Sequence, residues 1–211
     1  MQVLGLVFNK MSTIFVIIVI LFSVILHEVA HGYSAYWLGD PTAKMAGRLT
    51  LNPISHIDPI GSIILPAMLS FLGLPVIGWA KPVPFNPYNL RAGKWGPALV
   101  AIAGPLANIT VAVFFSALIR LNGVYFAAPV TFISLSLAIV ELNLFLAVFN
   151  LVPIPPLDGS KVLFALLPYR LRHIEQALER YGLMLVLFFV MFGANFIIPI
   201  ENFLVKLLTG L

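Results

Sequence analysis

The chain has no cysteine among its 211 residues, and only 9% of them are charged. Without cysteine there is no disulfide framework and no thiolate metal site, so any metal must be held by His, Asp or Glu. A globular domain carries about 25% charged residues; 12 Lys+Arg and 8 Asp+Glu are too few to cover a water-exposed shell. No like-charge block, Gly repeat or heptad pattern is present, which excludes a disordered tail, collagen and a coiled coil. The formal charge of +4 comes from basic residues scattered over short connections, without the run or helical stripe of a nucleic-acid surface. Contact with anionic lipid headgroups explains them better.

What the sequence does have is hydrocarbon: 61% of residues are apolar and the mean hydropathy is +1.04. A helix of about 20 mostly apolar residues crosses a bilayer core. Ser12 to Leu38, Trp95 to Leu121, Val130 to Phe149 and Gly182 to Ile200 reach that length. A fifth stretch, Gly61 to Gly78, carries Pro66, Gly73 and Pro75 and reads as a short span or a re-entrant hairpin. The expected fold is an all-α polytopic membrane protein: about four transmembrane helices, the re-entrant or short fifth segment, and small extended segments near the membrane face. Residues 1–211 form one domain in this reading, a multi-pass protein of the cell membrane.

The first span has the length of a signal peptide's apolar region, but its amino-terminal flank has a single Lys10 and the run continues into His27 and Glu28 without a small-residue cleavage site. It is read as retained. Met45 to Asn52 alternates Arg48, Thr50 and Asn52 with Leu49 and Leu51, as a half-buried strand would. Ala80 to Pro87 contains Pro82, Pro84 and Pro87, which forbid a helix and suit an edge strand or loop. Ser160 to Leu167 reads as a short helix and Arg170 to Arg180 as an interfacial amphipathic one.

Chemistry concentrates in His27, Glu28 and His31, an H-E-x-x-H pattern inside the first span. Histidines at i and i+4 share a helix face and can reach one cation, while Glu28 stands beside them to accept a proton from water. Ionisable groups in an apolar run cost a few kcal/mol or more in lipid, so they must face protein, water or a metal. A catalytic zinc site wants three protein ligands. Asp158 follows Pro153, Pro155 and Pro156, which end the third helix and leave backbone polar groups at membrane depth, where they must line a polar pocket. Asp158 is therefore either the third ligand or the N-cap of the next helix.

His27-Glu28-Val-Ala-His31, Gly104-Pro105-Leu-Ala-Asn108 and the Asn150 to Gly159 segment with Leu157-Asp158-Gly159 occur in that order. In these motifs the chain resembles the site-2 proteases, intramembrane zinc metalloproteases of peptidase family M50, and above all their small prokaryotic branch without a PDZ domain. The resemblance covers Leu26 to Leu167. It implies that His27, His31 and Asp158 bind Zn2+, that Glu28 is the catalytic base, and that Asn150 helps hold substrate or the oxyanion. It also implies transmembrane protein substrates and a prokaryotic plasma membrane. The span that precedes the His-Glu helix in some relatives has no counterpart here.

For His27, His31 and Asp158 to share a depth, the first and third spans must run parallel, so Gly61 to Gly78 must return to its starting side. Nine cations (Lys44, Arg48, Lys81, Arg91, Lys94, Lys161, Arg170, Arg172, Arg180) then share one face and Lys10, Arg120 and Lys206 the other, a positive-inside bias. Both termini are expected outside, with the site nearer the cytoplasmic face. A substrate helix hides its backbone in its own hydrogen bonds, so unwinding and pairing with an edge such as Met45 to Asn52 are expected.

Asn143 and Asn150 share a helix face; Asn150 is read as a pocket group and Asn143 as structural, like Asn108 beside the Gly104-Pro105 contact. His56 is either a polar contact near the metal or a loop histidine bonded to Asp58. Glu141 is left between a protonated hydrogen-bonded acid and a group lining a water path. A membrane metal carrier using the same His and Asp ligands is the competing function, although no internal repeat of the transporter kind is present. A non-catalytic scaffold is the third. Partners are a transmembrane substrate and the bilayer, with no nucleic acid; self-association stays open.

Overall fold

In lipid no water takes up backbone N–H and C=O groups, so a spanning stretch closes them within itself as a helix. The computed structural model describes residues 13–73, 78–122 and 125–211; Lys10, Ser12 and Pro75 lie outside these. The helices are α1 (Thr13–Trp37), α2 (Thr42–Met45), α3 (Leu65–Phe71), α4 (Gly96–Leu121), α5 (Val130–Asn150), α6 (Asp158–Leu166), α7 (Arg172–Phe188) and α8 (Ala194–Thr209). A π-helical turn, Pro59–Ile64, leads into α3, and another, Phe189–Gly193, joins α7 to α8. Four segments are long and apolar enough to cross a membrane: Thr13–Trp37, Gly93–Leu121, Val130–Asn150 and Tyr169–Gly193.

α4 is the central helix. It packs against α1, α5 and α6, and α8 covers the groove between α4 and α5. Ala112, Ile119, Val140 and Leu144 form one core with Leu204, Val205 and Leu208 of α8. Val16, Val19 and Leu142 form a second between α1 and α5. Ile14, Ile17, Phe114, Met184 and Phe188 point outward and uncovered, as contact with acyl chains requires.

The first three expected spans fall on α1, α4 and α5. The fourth does not end where the sequence suggested: α7 runs through both the expected interfacial helix Arg170 to Arg180 and the start of the Gly182 to Ile200 span. Gly182 does not stop this helix because its missing Cβ is used, the position being held against the Pro155 carbonyl. Pro199 is likewise absorbed inside α8.

Neither proposed extended segment is a strand among the described residues. Met45 closes α2, Gly47 turns the chain at φ +65°, and Arg48 buries its guanidinium to donate to the carbonyls of Ser55, Lys81 and Pro82. The polar–apolar alternation thus belongs to a side-chain clamp rather than a ladder. Ala80 to Asn86 is loop, the second of the two forms its prolines allow.

The fifth stretch re-enters. Trp79 N–H donates to Gly61 O at 3.1 Å and Ser62 Oγ donates to Trp79 O at 2.8 Å, so the stretch closes on its own start. A crossing segment would hold those ends about 30 Å apart. At the opposite end of the bundle, Arg120 donates to the Leu207 and Leu208 carbonyls, which puts Arg120 and the end of α8 on one side, as the cation count required.

Asp40, just past α1, gathers the loop beyond the hairpin. Its carboxylate accepts from Asn86 N–H (2.6 Å), Asn89 Nδ2 (2.8 Å) and Thr42 Oγ1 (2.6 Å). Burial pushes its pKa up, but the hydrogen bonds outweigh burial and hold it below the ordinary carboxylate value. A depressed pKa gives stability that is full above the unfolded value, about pH 4, and is lost as pH falls through the folded one. Asp40→Asn in detergent is expected to lower the unfolding temperature at pH 7 and to flatten its fall below pH 4; an unchanged acid limb would refute the role.

Candidate metal centre

His27, Glu28 and His31 sit on one and a half turns of α1, and Asp158 is the first residue of α6. The imidazoles lie edge to face with centroids 4.6 Å apart, as i, i+4 spacing dictates. Leu157 occupies the N-cap position, and Asp158 makes no capping bond. Its Oδ2 instead lies 2.9 Å from His27 Nε2 and 3.3 Å from His31 Nε2. The three residues each place one donor atom within 4.8 Å of the others and could hold a metal ion.

The donor chemistry can be tested against a cation. His31 Nδ1 lies 2.7 Å from Val100 O and His27 Nδ1 lies 2.6 Å from Asn108 Oδ1. A carbonyl only accepts, so each Nδ1 carries a proton, and in the neutral imidazole each Nε2 then presents a lone pair toward Asp158. In that form two lone pairs and a carboxylate oxygen face one another, a donor set that suits a cation. Tetrahedral zinc with bonds of about 2.0–2.1 Å separates its donor atoms by about 3.3 Å, close to the spacing found. Gly104 of α4 provides room: a Cβ there would lie 2.5 Å from both Nε2 atoms.

Glu28 is half-buried, and its Oε2 accepts the Val83 N–H at 2.7 Å. The loop after the hairpin is therefore fastened to the residue expected to be the base. Gly32, one turn on, lets Leu49 and Val83 close against α1.

The other expected residues separate. Asn150 turns its amide back onto α5, donating to Leu146 O at 2.9 Å, and among the described residues no hydrogen bond joins it to the cluster. His56 is a loop histidine, but its Nε2 donates to Thr50 O at 2.8 Å, while Asp58 caps the π-helical turn through Ile60 and Gly61 N–H. Glu141 is buried on α5 with Glu201 of α8 acting on it electrostatically, apart from the metal cluster. Asn108 and Asn143, read from sequence as packing, are fully buried and bonded into the back of the site. The available signal was an amide within an apolar span four residues after Gly104, in step with the histidine spacing.

A sequence model for peptidase family M50 matches residues 15–193. The provisionally named zinc metalloprotease YwhC of Bacillus subtilis is 38% identical over 195 residues, 89% of this chain and 86% of that one. The provisionally named zinc metalloproteases Rip2 are 33% identical in Mycolicibacterium smegmatis, over 66% of this chain, and 32% in Mycobacterium tuberculosis, over 68%. The chain spans only 52% and 53% of their respective lengths. No solved structure matches the chain.

Gly104→Ala isolates the steric requirement. Alanine favours a helix over glycine by about 0.5–1 kcal/mol, so α4 should persist while zinc content of the purified protein, measured after dialysis, falls to background. Full retention of zinc would show that the metal does not lie between the histidines and α4.

Proposed function

The chain belongs to peptidase family M50, and from that premise we propose that it is an intramembrane endopeptidase cutting transmembrane segments of other proteins in a prokaryotic plasma membrane. The observation that carries this reading is the placement of the His27, His31 and Asp158 donor atoms within 4.8 Å, with both histidines on a helix apolar enough to span and Asp158 just beyond the end of another. Residues 1–211 are proposed to act as one catalytic unit, because the ligands come from α1 and α6, at distant parts of the chain.

Zinc bound there would supply Lewis acidity, polarising the scissile carbonyl and easing loss of a proton from water near neutral pH. Glu28 takes that proton and passes it to the leaving amine, so water adds across the C–N bond and one peptide becomes an amine and an acid. The Val83 N–H fixes Oε2, which leaves Oε1 for the proton. His27 and His31 keep their Nδ1 protons on Asn108 and Val100 O and direct Nε2 inward. Asn150, at the end of α5, is proposed to reach substrate by releasing its bond to Leu146 O.

A substrate helix must expose its carbonyl before attack. The Ala80 to Asn86 loop borders Glu28 through Val83, and in this reading it takes the place of Met45 to Asn52 as the segment that meets an unwound substrate. The cation distribution supports a cytoplasmic position for this end of the bundle.

The test is Glu28→Gln in the full chain, purified in detergent and assayed on a model transmembrane peptide. Zinc content should stay within error of the parent while turnover falls by about 10²–10⁴-fold. Turnover that survives the substitution would refute Glu28 as base. Zinc flux in proteoliposomes, lost in the same variant, would assign the site to a carrier instead.

A further inference from the structure

Two amides behind His27 form a chain through three helices. Asn108 on α4 accepts His27 Nδ1–H at Oδ1 (2.6 Å), while its Nδ2 donates to Ser23 O (3.3 Å) and to Asn143 Oδ1 (2.9 Å) on α5. Asn143 Nδ2 in turn donates to Ile139 O, one turn back on its own helix, at 2.9 Å. Asn108 and Asn143 both have zero exposure, so no water supplies a substitute partner.

The directions of these bonds are forced. An amide has one accepting oxygen and one donating NH2. Rotating Asn143 by 180° would set its NH2 against the Asn108 NH2 and its oxygen against Ile139 O. Rotating Asn108 would oppose its oxygen to two other oxygens and offer a second donor to His27. Each amide is therefore locked by its neighbours, and the lock ends at His27 Nδ1, which must keep its proton, so that the neutral imidazole has its lone pair on Nε2.

We propose that Asn143, whose hydrogen bonds go to Asn108 and Ile139 O and not to the metal ligands, is a positioning residue that sets the tautomer and ring orientation of His27 through Asn108. This rests on the metal centre proposed above. It differs from interhelical polar glue, in which Asn143 would hold α4 to α5 without consequence for the metal. Ligand-orienting partners of this kind alter metal affinity by about 10–100-fold when removed.

The test compares Asn143→Leu, which is similar in size and has no acceptor, with Asn143→Asp, which still offers Asn108 an oxygen and, protonated in the apolar interior, still donates to Ile139 O. Zinc affinity of the full chain in detergent is measured by chelator competition, with thermal unfolding of the metal-free protein alongside. Asn143→Leu is expected to weaken zinc at least 10-fold and Asn143→Asp to remain within about threefold of the parent. Where Asn143→Leu does not fold, Asn143→Ala is held to the same thresholds. Equal affinity in parent, Leu and Asp variants overturns the relay, even if unfolding temperatures differ. A parent chain that binds no zinc overturns the metal centre itself and the relay with it.

Discussion

Two imidazole nitrogens and a carboxylate oxygen converge within 4.8 Å, and a cation placed among them would be attracted by all three. The rest of the architecture serves to bring these three groups to one depth. α1 carries two of them and α6 the third, after a proline-rich turn that halts α5. That meeting requires α1 and α5 to arrive from the same side, and so requires Gly61 to Trp79 to turn back rather than cross. The Trp79–Gly61 hydrogen bond is the physical expression of this requirement.

α4 acts as the template for the site. Val100, Gly104 and Asn108 lie at i, i+4 and i+8, one face of a helix, and meet His27 and His31 at the same four-residue interval. Val100 supplies a backbone carbonyl, Gly104 supplies space and Asn108 supplies an amide oxygen. Two helices of equal periodicity packed side by side thus pair each ligand with an orienting group. Intramembrane charges are costly in lipid, by about 2.5–3.5 kcal/mol at mid-bilayer, and His27, Glu28 and His31 are held in this protein-lined seam.

On the other side of α1, the post-hairpin loop is fixed at both ends, by Arg48 on the Lys81 and Pro82 carbonyls and by Asp40 on Asn86. Between them Val83 holds Glu28. A guanidinium that satisfies three carbonyls from two segments does by side chain what a strand ladder would do by backbone. The alternation from Met45 to Asn52 reads as a strand but folds as a clamp, with Arg48 buried and Met45 and Leu51 exposed, because a side chain that finds carbonyl partners overrides the facing that period two suggests.

The amino-acid sequence by itself determined the helical class, three of the four spans, and the pairing of His27 with His31 on one helix face, and it marked Glu28 and Asp158 as candidates beside them. Hydropathy and i, i+4 spacing are local properties that survive in one dimension. It also pointed to the hairpin indirectly, through the scatter of cations. The continuity of α7 through Gly182, the inward bond of Asp158 in place of a cap, and the retreat of Asn150 onto Leu146 O were decided only by tertiary structure. So were the roles of Gly104, Asn108, Asn143 and Val83. Each depends on what a group meets from another helix, and an amide or a missing Cβ has the same local signature whether it packs, caps or orients a ligand.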